Sequence, residues 1–268
     1  MEKQFQIMKL STRSIRSTSL HVCGMALLFL SLGIGITSII ALFDDRTDLD
    51  ALFFSALIIA VLGLILFTST TIGETDQASI FSAVGATWLV VSLLGTVPYL
   101  LAGTFDRAGI GAPEIFVDAL FESVSGFSCT GSTVFGAHNL IELQGAGILF
   151  YRQLTQWIGG MGIVVLVVSV LPSLRASGLG LIDAEAPGAG VERIAPRVAE
   201  TAKKFWYIYA SITALVSVLL FVTGMSLFDA ISHAMTTAST GGFSTRDLSI
   251  GHWNSVSIEM VIMAGLLL

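Results

Sequence analysis

Apolar residues in this 268-residue chain come in long blocks separated by short polar intervals. Five blocks, 22–43, 51–70, 78–101, 147–171 and 205–226, each run for about 20 residues or more, the length at which a helix crosses about 30 Å of hydrocarbon. Each predicts a membrane-spanning helix. A sixth block begins near Val256 and reaches Leu268; at about 13 residues it is short for a crossing, so the sequence reads as a partial chain that stops inside a helix. One segment breaks the pattern. Residues 113–126, PEIFVDALFESVSG, place Pro113 and Glu114 at a helix start and Gly126 at its end. About 14 residues make only about 21 Å of helix, so the segment is expected to dip into the membrane and return.

Composition agrees with the pattern. Hydrophobic residues make up 54% of the chain and charged residues 12%, with a mean hydropathy of +0.85, against about 25% charged in a soluble domain. Membrane lipid is therefore the expected surrounding, and nucleic acid is not expected as a partner. Two cysteines, Cys23 and Cys129, form neither a disulfide framework nor a metal-ligand pair. The first block is too long for a cleaved signal sequence.

Charge placement tests the dip. Lys3, Lys9, Arg13 and Arg16 precede the first span, while Arg175, Arg193, Arg197, Lys203 and Lys204 fill the interval 173–204. A returning segment puts both clusters on one side, cytoplasmic by the positive-inside rule; a crossing segment would separate them. The outer connections then hold few bases: Arg46 among Asp44, Asp45, Asp48 and Asp50, then Arg107, and later Arg246. The short inner loop 71–77 has acid but no base.

An internal repeat accompanies the dip. VDALFESVSGFSCTGST (117–133) and FDAISHAMTTASTGGFS (228–244) align without gaps at an offset of 111 residues, matching Asp118 with Asp229, Ala119 with Ala230, Ser128 with Ser239 and Gly131 with Gly242. The unit is span, short helix, small-residue loop, span. Both short helices follow spans of the same direction, which favours a pore around an axis over an inverted-repeat carrier.

The loops state the chemistry. Non-helical backbone at membrane depth survives only where it is buried in protein or lines a watery cavity. Glycine lets successive carbonyls point the same way, and such oxygens can replace the hydration shell of a potassium ion. The C-terminal end of each short helix adds roughly half a negative charge, favouring a cation. No lysine or arginine lies in 127–133 or 238–245.

Three stretches, ALFESVSGFSCTGSTVF, YRQLTQWIGGMGIVVLVVSVLP and TTASTGGFSTRDLSIG, together resemble the Trk/Ktr/HKT superfamily of potassium-uptake proteins, in particular its bacterial TrkH-type membrane subunits. The resemblance covers essentially the whole chain. It implies an all-α polytopic membrane protein built of span, re-entrant pore helix, filter loop and span, as in potassium channels. The expected division is a cytoplasmic tail 1–20, a helical hairpin 21–77, a first pore repeat 78–172, a cytoplasmic linker 173–204 and an incomplete second repeat 205–268. The family's third and fourth repeats are not in this sequence, and without them, or a second copy, the chain is not expected to conduct.

Carried over by motif, the filter glycines fall on Gly131 and Gly242. Cys129, Thr130 and Ser132 flank the first, and Thr240, Gly241 and Phe243 the second. Potassium, the permeant ligand, would meet the backbone of Thr130, Gly131, Gly241 and Gly242; no cofactor and no enzymatic activity are implied. Cys129 departs from the hydroxyl residue usual there. The resemblance also implies the bacterial cytoplasmic membrane with a cytoplasmic N-terminus, a homodimer, and a cytosolic nucleotide-binding TrkA-type regulatory subunit docking on inner loops such as 173–204. Whether movement is passive or coupled to protons or sodium stays open.

Other residues admit blander roles. Gly131 and Gly242 could be helix-packing glycines, but their recurrence after two short helices favours a filter. The glycines of WIGGMG (157–162) read as close helix packing. Asp118 and Asp229 suit either a helix N-terminal dipole or a cation-attracting vestibule. Glu122 and His233, at equivalent positions, suit hydrogen bonds behind the filter rather than ion or proton binding. Arg152 is expected to snorkel or to pair with a pore-helix acid. Trp157 and Trp206 are expected as packing or interfacial anchors. An intramembrane serine hydrolase would need Ser128 within hydrogen-bond reach of His233.

Overall fold

A computed structural model describes the backbone of residues 2–44, 48–72, 77–136, 139–179 and 194–268, with side chains described from Ser17 onward apart from 77–78 and 163–199. Helices dominate, and no strand is present among the described residues. The long apolar blocks become α1 (Glu2–Ala41), α2 (Leu49–Ser69), α3 (Gln77–Leu94), α4 (Val97–Leu101), α6 (Ala146–Leu179) and α7 (Ile194–Val222), with α9 (Val256–Leu267) last. Between them lie two shorter helices, α5 (Ala112–Phe127) and α8 (Leu227–Ala238). Four described segments are long and apolar enough to cross a membrane: Ser17–Ala41, Leu49–Ser69, Ser79–Leu101 and Glu200–Val222. α6 covers the expected span 147–171.

Two boundaries differ from the sequence expectation. α1 begins at Glu2, so residues expected as a tail are helical and continuous with the first span. The expected span 78–101 is interrupted at Gly95 and Thr96. Pro98 has no N–H to offer the Leu94 carbonyl, and its ring opposes an unbroken helix through that turn. The side chains of Lys3, Lys9, Arg13, Arg16, Arg46, Arg175, Arg193 and Arg197, with Asp45 and most of the linker 173–204, lie outside the described side chains, as do most of those in the loop 71–77.

In hydrocarbon, apolar surface gains nothing by leaving lipid, so helices associate through close packing and hydrogen bonds. α1 and α2 show the first device. They run antiparallel and meet at Gly24 and Gly63, where a Cβ on Gly24 would lie 2.6 Å from the Phe67 amide nitrogen and 2.9 Å from the Gly63 oxygen. Gly24→Leu is expected to cost about 1–3 kcal/mol by overpacking this crossing, read as a lower unfolding temperature of the purified protein in detergent. An unchanged temperature would place the crossing elsewhere.

Hydrogen bonds supply the second device. The Ser17 hydroxyl donates to the Thr71 carbonyl at 2.8 Å, closing one end of the hairpin. At the other end Asp44 and Asp48 accept from the amides of Ala146 and Ile148 at 2.6 and 3.4 Å, satisfying unpaired N–H groups in the first turn of α6. The hairpin thus anchors α6. α5 packs against α3 and α6, whereas α8 packs against α6, α7 and α9. α6 is the helix both short helices share.

Candidate functional site

Each short helix stops in the same way. Ser128 and Ser239 are its last right-handed residues, and the next residue, Cys129 or Thr240, turns left-handed at φ 54° and 53°. In the first copy the Cys129 amide donates to the Gly126 carbonyl at 3.0 Å and Thr130 to Ser125 at 3.1 Å; in the second, Thr240 donates to Thr237 at 3.0 Å and Gly241 to Thr236 at 2.8 Å. These paired bonds are a Schellman termination, a place where glycine is usual because a side chain at positive φ is strained. Cysteine and threonine here carry that strain at identical repeat positions. Two residues later Gly131 and Gly242 also turn to positive φ, 76° and 85°.

Both chains therefore leave their helix by one backbone path, and the paths converge. A Cβ built on Gly131 would overlap the Gly241 carbonyl oxygen and lie 3.6 Å from the Gly242 Cα. Glycine at 131 is required twice over, by φ and by the neighbouring loop. Residues 131 and 242 thus face one another across the repeats.

The predicted oxygen donors fall into two groups. Among the described residues, no donor meets the carbonyls of Thr130, Gly131 or Gly242. The Gly241 carbonyl instead accepts from Gln156 Nε2 at 2.8 Å, and the Ser132 carbonyl from the Ser125 hydroxyl at 2.5 Å. Phe243 is buried, and its amide donates to Gln156 Oε1 at 3.1 Å. The Cys129 thiol lies 3.2 Å from the Gln156 carbonyl.

Behind the loops sits a buried ion pair. Arg152 and Glu122 are both 0% exposed, and the guanidinium meets Glu122 Oε1 through Nε at 2.8 Å and Nη2 at 2.6 Å. Glu122 also accepts from the Thr133 hydroxyl at 2.9 Å and the Val134 amide at 3.1 Å. At the offset of 111, Glu122 becomes His233 and Thr133 becomes Ser244. The second copy repeats the contact, with His233 Nε2 2.9 Å from the Ser244 hydroxyl and Nδ1 donating to the Asp229 carbonyl at 2.8 Å. Asp118 and Asp229 each meet an arginine, Arg107 and Arg246, at 2.8 Å.

The Ser128–His233 pairing does not form: the His233 nitrogens meet the Asp229 carbonyl and the Ser244 hydroxyl, and the Ser128 hydroxyl pairs with Thr130 Oγ1 at 2.6 Å. The WIGGMG glycines admit close neighbours, Gly159 against the Phe127 backbone and Gly160 against Ser239 and the Tyr209 hydroxyl. Trp157 donates to Thr213 at 3.1 Å and meets Trp206 edge to face at 5.5 Å. Gln156 is the functional candidate that sequence reading passed over. Its signal is present in the sequence: polar Arg152 and Gln156 inside an apolar span need partners in protein.

The chain matches the family described as "TrkH: Cation transport protein" over residues 50–268. It is 44% identical over 182 residues to the "Trk system potassium uptake protein TrkH" of Halomonas elongata, an alignment spanning 68% of this chain and 36% of that protein. With the protein of the same name from Escherichia coli strain K12 it shares 40% identity over 199 residues, 73% of this chain and 39% of that one. The crystal structure of the potassium transporter TrkH from Vibrio parahaemolyticus superposes with a TM-score of 0.77 at 30% identity, covering 94% of this chain and 49% of that one. The chain thus spans about half the length, or less, of the relatives it matches.

Proposed function

Because the chain belongs to the TrkH family of cation transport proteins, we propose that its two loops form half of a selectivity filter through which potassium enters the cell. The observation that carries this function is the meeting of Gly131 with the Gly241 carbonyl, two repeat-related loops of matched positive-φ backbone touching across the repeats. The unpaired carbonyls of Thr130, Gly131 and Gly242 are the oxygens a dehydrated potassium ion would meet, with Gly241 contributing its second lone pair. α5 and α8 act as re-entrant pore helices, their C-terminal ends lending partial negative charge to the site. Cys129, Thr130, Ser132, Thr240 and Phe243 shape the path as flanking backbone. Two further repeats complete the ring, on the same chain or a second copy.

The names of the relatives support potassium as the cargo. The protein sits in the bacterial cytoplasmic membrane with its N-terminus inside, as a homodimer regulated by a TrkA-type nucleotide-binding subunit that docks on inner loops including 173–204. The test is rubidium uptake by the full-length gene product in cells stripped of their own potassium uptake. Gly242→Ala carries the cost of a Cβ at positive φ and is expected to lower uptake about tenfold. Wild-type uptake at wild-type membrane levels would remove Gly242 from the filter.

A further inference from the structure

The geometry points to Arg152 and Gln156 of α6 as positioning residues that set the spacing of the two loops and thereby the choice between potassium and sodium. This rests on the filter function proposed above. Both side chains are 0% exposed, and they stand four residues apart, hence on one face of the helix. Each engages both loops. Arg152 binds the first copy through Glu122 and, from Nη2, the Thr133 hydroxyl at 3.3 Å; its Nη1 donates to the Ser244 carbonyl of the second copy at 2.9 Å. The guanidinium also lies 4.8 Å from the ring centre of Phe135 and 4.2 Å from that of Phe243, one ring from each copy.

Gln156 makes the second rung. Its amide holds the second loop by the Gly241 carbonyl and the Phe243 amide, while its own backbone carbonyl receives the Cys129 thiol of the first. A Cβ on Gly241 would collide with this amide, so the side chain lies flush against the peptide. One helix therefore references two loops from different repeats. Ion choice by backbone oxygens depends on how many of them meet the ion and where they stand, so a group that holds both loops in place bears on the choice.

The brace is not a general feature of the repeat. At the offset of 111, Arg152 becomes Met263 and Gln156 becomes Leu267, neither able to make these bonds. A group needed only to fold one repeat would be expected in both copies. A link between copy one and copy two is needed once.

Arg152→Lys keeps a cation for Glu122 but, lacking the planar fork, cannot reach Thr133 and Ser244 together. Gln156→Leu keeps the volume and removes both bonds. Rubidium and sodium uptake would be measured for each variant in the full-length gene product, normalised to protein in the membrane. Each is expected to reduce the rubidium-to-sodium preference about tenfold, the scale of one lost buried hydrogen bond. A preference within about twofold of wild type in both, with only the rate reduced, overturns the inference. Absence of both variants from the membrane overturns it too, since the pair would then serve folding rather than ion choice. Gly131→Ala separates the two levels: if that variant takes up rubidium normally the filter itself is misassigned, and if it does not while both α6 variants keep their preference, only the brace is wrong.

Discussion

Gly131→Ala is expected to lower rubidium uptake on the order of 100-fold or more, the largest loss foreseen for any single methyl in this chain. Two costs combine at that position. A Cβ at φ 76° forces an L-residue into the left-handed region, at roughly 1–2 kcal/mol. The same methyl overlaps the Gly241 carbonyl oxygen, which is pinned by Gln156 and cannot retreat without breaking that bond; overpacking of this kind costs about 1–3 kcal/mol. Gly242 bears the first cost alone, since a Cβ there meets no described atom within 4 Å. The ordering Gly131→Ala below Gly242→Ala is therefore a sharper test than either loss. Equal losses would mean the contact between loops does not govern uptake.

Glu122→Ala is expected to lower the stability of the purified protein by about 3–5 kcal/mol, because it strands the Arg152 charge among Phe135, Phe243 and backbone with no counter-ion. Differential scanning fluorimetry in detergent would read this as a large fall in unfolding temperature. Replacing both partners, Glu122→Leu with Arg152→Met, is expected to restore most of the loss, since an apolar pair of similar volume avoids two desolvated charges. A single variant as stable as wild type would show that water reaches the pair. A double variant no better than the single would show that the guanidinium's bonds to Thr133 and Ser244, rather than its charge pairing, hold this region together.

The repeat explains why these effects concentrate behind the loops. Asp118 and Asp229, Glu122 and His233, Thr133 and Ser244 occupy corresponding places, and each pair finds a comparable partner. At one corresponding position the copies differ in their partners: Glu122 faces Arg152, whereas His233 meets the Asp229 carbonyl and the Ser244 hydroxyl, with Trp253 edge-on at 5.0 Å. The first copy supplies the ionic brace, and the second leans on it.

Sequence alone determined the membrane class, the spans and the two short helices, because block length against hydrocarbon thickness is a local property. It also determined that residues 131 and 242 are equivalent, since a fixed offset can be read without coordinates. The expected span 78–101 corresponds to Ser79–Leu101, and only the local break at Gly95 and Thr96 ahead of Pro98 goes beyond what block length conveys. Only the tertiary structure decided that Gly131 meets Gly241, that Arg152 bridges both loops, and that Gln156 occupies a carbonyl expected to face the ion. The contacts that reach the second loop, Gly131 to Gly241, Arg152 to Ser244 and Gln156 to Gly241, join residues 85 to 110 positions apart in the chain. Helical period and hydropathy say which face of α6 is polar, but they carry no information about which loop will be packed against it.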